Sequence, residues 1–358
     1  MAKERILAIN PGSTSTKIGV YDDDQAIFVT TISHPREELD SFKEIFDQYE
    51  YRKRLVLEVM EQNGVDRHTL TAVVARGGLL PPVPAGAFEV NDDMIWQLKY
   101  KPQNEHASNL GAPIAKAIAD ELGIKAYIYD PVTVDEMSEI AKITGLPEMR
   151  RKSLIHALNM RAMAHKYAEE IKKPYESLRL IVAHLGGGIT LSYHENGKMI
   201  DVISDEEGPF SPERTGCLPL FQVLEMATQP GSDFKTLYNK VKRQGGLMAH
   251  LGTNNAKEVE EMIAAGDKHA ELIYKAMGYN IAKWIGNLAT VAKGKVDCII
   301  LTGGVAYSKM LTDFIKERIE FIAPVKIMAG ENEIEALVKG VLRIRRGQEK
   351  VNVFTKVV

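Results

Sequence analysis

Short apolar runs recur along the chain, and several of them end on glycine or a small polar residue. Ile6-Leu7-Ala8-Ile9 is a continuous apolar run between polar flanks, which predicts a buried strand. Asn10-Pro11-Gly12-Ser13 follows as a turn. Residues 14–21 alternate and are rich in β-branched side chains, which predicts a second strand. Asp22-Asp23-Asp24 is a turn, and 26–32 a third strand. The same order returns later in the chain. Leu180-Ile181-Val182-Ala183-His184 is apolar, Leu185-Gly186-Gly187-Gly188 turns, 189–193 is a strand, Glu195-Asn196-Gly197 is a hairpin turn, and 198–203 is a third strand. Residues 6–29 and 181–202 therefore share their elements at nearly the same spacing. An internal repeat on this scale predicts two domains of like topology.

Helical patterns are predicted at 41–62, 92–100, 111–122, 153–171, 219–227, 234–243, 256–265, 268–291, 309–321 and 333–345. Further strands are predicted at 126–129, 297–301 and 325–328. Strands and helices alternate, which makes the fold α/β. With 358 residues the chain exceeds the ~250–300 at which single cores stop growing, so two domains are expected. The expected division is 1–152 and 153–334, with 335–358 returning to pack on the first domain.

Composition narrows the function classes. Hydrophobic residues are 45% and charged residues 26%, and the net charge of -3 carries no basic footprint, so no nucleic-acid partner is expected. Two cysteines, Cys217 and Cys298, form no CxxC pair, which argues against a disulfide framework or a zinc site. The first residues contain no apolar signal region, and no run of about 18 apolar residues occurs anywhere. A cytoplasmic protein without a membrane partner is expected.

The candidate chemistry lies at three strand ends. Asn10 is followed by Ser13, Ser15 and Lys17; His184 is followed by Gly186, Gly187 and Gly188; Thr302 is followed by Gly303 and Gly304. Glycine turns let backbone N–H groups approach an anion closely, and hydroxyls and a lysine add donors and charge. Three such turns, two of them at matching repeat positions, point to a bound polyphosphate. The chain has no GxxxxGK[ST] loop, no HRD or DFG, and no complete GxGxxG.

These three segments resemble the phosphate and adenosine motifs of the acetate and sugar kinase, Hsp70 and actin superfamily. More narrowly, the stretches Val74-Ala75-Arg76-Gly77-Gly78-Leu79-Leu80-Pro81-Pro82, Tyr129-Asp130-Pro131-Val132-Thr133-Val134-Asp135-Glu136 and Arg151-Lys152-Ser153-Leu154-Ile155-His156-Ala157-Leu158-Asn159 resemble the butyrate kinase branch of the acetokinase family. The resemblance covers essentially the whole chain. It implies two domains of the duplicated βββαβαβα type, actin-like and ribonuclease H-like, with an active site in the cleft between them. It implies phosphoryl transfer between ATP or ADP and a small aliphatic carboxylic acid, with Mg2+, and an assembly of at least a dimer.

Residue roles follow from the resemblance and from chemistry together. Transfer between two anions needs charge neutralisation and alignment. Arg76 and Arg214 lie in glycine-rich settings and suit bidentate recognition of carboxylate and phosphoryl oxygens. Asp130 ends a predicted strand and is expected to hold the magnesium. Glu333 is a second acidic match for the metal, with Glu331 and Glu335 as alternatives. His156, expected within the helix from 153, is implied to bond the transferring phosphoryl, and His184 and His106 match related histidines. A carboxylate nucleophile is already ionised at neutral pH and needs no general base. Gly77, Gly78 and Ile155 replace bulkier residues of acetate kinases and are expected to leave room for a longer acyl tail. Competing readings are a branched-chain acid kinase, a sugar-type kinase with Asp130 as base, and a nucleotide switch of the actin or Hsp70 kind.

Overall fold

The computed structural model describes residues 3–357. In chain order its strands are β1 (Arg5–Pro11), β2 (Ser15–Asp22), β3 (Gln25–Ser33), β4 (Ala72–Arg76), β5 (Ala87–Glu89), β6 (Lys125–Tyr129), β7 (Leu180–Leu185), β8 (Ile189–Glu195), β9 (Lys198–Ile203), β10 (Cys298–Gly303), β11 (Val325–Ala329) and β12 (Val351–Asn352). The chain divides into two compact units. One comprises residues up to Asp135 together with those from Asn332 onward, and the other spans Glu136–Glu331.

The first unit is built on a sheet ordered β12-β5-β6-β4-β1-β2-β3. β1 pairs antiparallel with β2 and parallel with β4, and β4 pairs parallel with β6. Ile6, Leu7, Ala8 and Ile9 are fully buried, as a continuous apolar run in a strand covered on both faces requires. Two helices whose apolar side chains are buried, Gly111–Leu122 and Glu333–Arg345, supply that cover.

The second unit repeats the plan. Its sheet runs β11-β10-β7-β8-β9, the order of β6-β4-β1-β2-β3 in the first unit. β7 and β10 are buried along their whole length. The helix Lys268–Val291 buries Ile273, Met277, Ile281, Ile285 and Leu288 at three- and four-residue spacing, in one cluster with Leu191 of β8.

The expected division at 152 and the observed one at 135 differ by residues 136–152. That segment is bound within the second unit. The Ser138 N–H donates to Ile200 O at 2.9 Å, and Arg151 bonds Asp201 at 2.9 Å and Glu207 at 3.2 Å. The expected helix from 153 begins only at Ala157. His156 is the residue before it, not a member of it.

Candidate functional site

Three adjacent parallel strands of the first unit bring Asn10, Arg76 and Asp130 to their carboxyl ends: β1 ends just past Asn10, β4 ends at Arg76, and β6 ends one residue before Asp130. This edge is where open α/β sheets bind ligands. Arg76 thus closes a strand, and its glycine-rich loop follows. The helix Glu333–Arg345 begins at the same edge. Its first residue bonds Arg76 through Nη1 at 2.9 Å and accepts from the Asn10 side-chain amide. Asn10, Arg76 and Glu333 therefore form one polar cluster. His106 feels it too: crowding by protein first, and then the charge of Arg76, push its pKa below the usual histidine value.

Asp130 is 2% exposed, and its φ of +40° lies in the left-handed region. A non-glycine residue held there stores strain, which is commonest at functional sites. One carboxylate oxygen accepts the Gly86 N–H at 2.7 Å. Magnesium keeps several waters and takes phosphate oxygens with one or two carboxylates, so a single carboxylate such as Asp130 fits it. Among the described residues no three His, Cys, Asp or Glu side chains gather as a metal cluster.

Ser13 is exposed at the tip of the turn after β1, and Ser15 and Lys17 start β2, with Lys17 exposed. The Gly12 N–H donates to Ser15 O at 2.7 Å and closes this turn. Behind it lies Arg52, fully buried on the helix Tyr49–Gln62, which reaches the turn's carbonyl oxygens.

In the second unit His184 is the last residue but one of β7 and is 1% exposed. Its ring stacks on that of His156, with centroids 3.9 Å apart and planes 10° from parallel. His184 Nδ1 meets Asn159 Oδ1 at 2.9 Å, and its Nε2 lies 3.1 Å from Glu331 Oε1. His156 Nδ1 meets Thr190 Oγ1 at 2.9 Å. The ends of β10 and β11 close beside them through Gly330 N–H to Gly303 O at 3.0 Å, and Thr302 Oγ1 donates to Gly330 O at 3.2 Å.

Two glycines are demanded by close approach. Gly303 has φ +89°, and a Cβ there would collide with the backbone of Leu185. A Cβ on Gly188 would collide with the Arg214 guanidinium, so that arginine lies against the triple-glycine turn. Gly186 and Gly187 precede it in the same turn, and Ser211 Oγ donates to Gly187 O at 2.6 Å. Arg214 pairs with the buried carboxylate of Asp205, which Lys242 also meets at 2.7 Å. Burial pushes the pKa of Arg214 down, and its Nε is buried with no hydrogen-bond partner among the described residues.

The structure thus groups the expected residues within each unit: Asn10, Arg76 and Glu333 in the first; His156, His184, Gly188 and Arg214, with Gly303 ending β10 and Gly304 just after it, in the second. Sequence reasoning missed Arg52, Asn159, Thr190 and Asp205. Gly77 and Gly78 do not open empty space. A Cβ on Gly77 would meet Pro131 at 2.5 Å, and one on Gly78 would meet Asn109 at 2.6 Å and Leu98 at 2.7 Å. These glycines admit neighbouring protein, so a pocket argument from their size alone does not hold.

A family model described as the acetokinase family matches residues 137–338. Butyrate kinase 2 of Clostridium acetobutylicum is 47% identical over 354 residues, covering 98% of this chain and 99% of that protein. The crystal structure of acetate kinase from Porphyromonas gingivalis has a TM-score of 0.79 at 17% identity, over 95% of this chain and all of that one (100%). A propionate kinase from Francisella tularensis has a TM-score of 0.74 at 15% identity, over 94% and 98%. At such identities the two structures speak for the fold, which is the duplicated actin-like ATPase fold that the resemblance implies.

Proposed function

The chain belongs to the acetokinase family, and on that premise we propose that it transfers the γ-phosphoryl group of ATP to butyrate, giving butyryl phosphate and ADP, and catalyses the reverse step as well. It is a carboxylate kinase, and hence a phosphotransferase. The observation that carries the choice of acid is the 47% identity, end to end, with a relative named butyrate kinase 2.

The step is a direct in-line displacement. A butyrate oxygen forms the new bond to the γ-phosphorus, the bond to the β,γ-bridging oxygen breaks, and ADP leaves with that electron pair. No proton must be removed from an ionised carboxylate, so histidines here serve as donors and not as bases. Arg76 is suited to hold the acid's carboxylate against its repulsion from ATP, with Glu333 and Asn10 fixing the guanidinium. Arg214, lying over Gly188, is suited to the transferring phosphoryl group, and His184 and His156 to its oxygens. The turns at Ser13, Ser15 and Lys17, at Gly186, Gly187 and Gly188, and at Gly303 and Gly304 are assigned to ATP. Mg2+, when bound, would neutralise phosphate charge, with Asp130 as the residue best suited to it and Glu333 as the second candidate. In this reading the first unit serves the acid and lends its turn at 13–17 to the ATP phosphates, and Glu136–Glu331 serves the rest of the nucleotide.

The reading extends to a cytoplasmic enzyme that assembles as at least a dimer. Among the described residues no helix is long and apolar enough to cross a membrane. Leu220, Phe221 and Phe234 are strongly exposed apolar side chains in one stretch of the second unit, which favours burial against another copy.

The test is a hydroxamate assay with MgATP and a panel of straight and branched acids of two to five carbons. Butyrate is expected to give the highest kcat/KM. A higher value for isobutyrate or isovalerate would move the assignment to a branched-chain acid, and phosphorylation of a sugar without any acyl hydroxamate would overturn it.

A further inference from the structure

Arg52 is the only arginine among the described residues with no exposed surface at all. It sits on the helix Tyr49–Gln62 in the stripe Arg52, Val56 and Met60, where the last two are core residues. No carboxylate pairs with it among the described residues. Its donors go instead to oxygens of one turn. Nη1 donates to Gly12 O at 2.8 Å, to Ser15 O at 3.3 Å and to Thr16 Oγ1 at 3.1 Å; Nη2 donates to Ser13 O at 3.1 Å. Nε and Nη2 also donate to Gln48 Oε1, at 3.0 and 2.9 Å.

Burying a cation without a counter-ion costs several kcal/mol, and an apolar side chain in this stripe would avoid that cost. A turn that binds phosphate, however, must keep its carbonyl oxygens away from the anion. Three of the four carbonyls of residues 12–15, all but that of Thr14, are gathered here on the buried side by one guanidinium. Ser13 and Thr14 remain exposed on the other side. The charge behind the turn also acts through protein and not through water, where it is less screened.

We propose that Arg52 is a positioning residue for phosphate binding: it holds the carbonyls of Gly12, Ser13 and Ser15 behind the turn, so that its N–H groups and hydroxyls face a phosphate of the nucleotide, and it adds positive potential from the protein side. The proposal rests on the kinase reading above. It differs from that reading in assigning function to a side chain that touches no substrate.

The experiment compares wild type, Arg52→Met, Arg52→Lys and Gln48→Leu at a temperature where circular dichroism shows each to be folded, with kcat expressed per folded molecule. It also measures ATP affinity by calorimetry, without any acid present. Arg52→Met is expected to lose about tenfold or more in kcat and about fivefold in ATP affinity, with KM for butyrate changed by less than about threefold. Arg52→Lys, which keeps the charge but not the fork, is expected to recover at least about threefold of the lost kcat. Hydrogen exchange at 13–15 should quicken in Arg52→Met. A merely structural arginine would lower Tm while leaving kcat and ATP affinity within twofold of wild type, and that result overturns the proposal. Should Arg52→Met not fold, Gln48→Leu decides: about a threefold loss of kcat supports the proposal, and an unchanged kcat overturns it. A wild type that forms no butyryl hydroxamate but binds ATP in an Arg52-dependent way would sink the butyrate reading and leave this one standing.

Discussion

Arg76 and Arg214 are each tethered by a carboxylate, Glu333 in one unit and Asp205 in the other. The tether fixes one edge of the guanidinium fork and pre-orients what remains, so less is lost on binding an anion. Arg76→Ala and Arg214→Ala are each expected to lower kcat by about 10²–10³-fold, the scale for removing a preorganised charge stabiliser; steady-state kinetics with near wild-type rates would take that residue out of the site. Both arginines stand out in the sequence because a glycine follows within two residues. Their tethers were less so. Glu333 could not be separated from Glu331 or Glu335 by pattern, and Asp205 stands in an acidic run with Glu206 and Glu207. Arg52 was hidden among Arg52, Lys53 and Arg54, three basic residues of which one occupies the apolar stripe of its helix. The missed signal was the i, i+4, i+8 spacing with Val56 and Met60.

At the scale of elements, the glycine turns differ in what they need from glycine. Gly303 is required by its positive φ and by the backbone of Leu185, whereas a Cβ on Gly304 would meet nothing within 4 Å. Gly303→Ala is expected to lower Tm by about 4 °C or more and Gly304→Ala by far less, read by scanning calorimetry. Equal Tm values for the two would refute the packing account. Gly188→Ala meets a side chain, so Arg214 can move; kcat should fall by about tenfold while Tm stays within about 2 °C. The strands that carry these turns were readable, because β1, β7 and β10 are apolar runs buried on both faces. The start of the helix after Arg151 was not. Thr190, 34 residues further on, bonds the His156 ring at 2.9 Å and keeps it ahead of the first turn, a contact no local pattern contains. β5 and β12, of three and two residues, are too short to show a period.

For the whole molecule, the repeat was legible because order and spacing survive where residues differ, and both sheets carry it. Each unit also buries a histidine on which acid acts. Burial first, and then the charge of Arg52, lower His34 to about 4; burial first, and then Arg161, lower His194 to about 3. A depressed histidine is neutral in the folded state while the unfolded chain still binds a proton. Its contribution is therefore present above the unfolded value near 6.5 and is lost as pH falls toward 4 and 3. Tm is expected to fall over that window, and His194→Gln should flatten the slope throughout it; an unchanged slope would contradict the burial argument. The first unit is also discontinuous. Its helix Glu333–Arg345 buries Ile334, Leu337, Val338, Val341 and Leu342, and supplies the partner of Arg76. On the ribosome, Glu136–Glu331 emerges and can close its own core before that helix exists. Residues up to Asp135 must wait, with the helix-facing side of their sheet uncovered, until Glu333–Arg345 has followed the whole second unit. The cluster of Asn10, Arg76 and Glu333 is thus assembled only after the second unit has been made, and a product truncated before 333 lacks it.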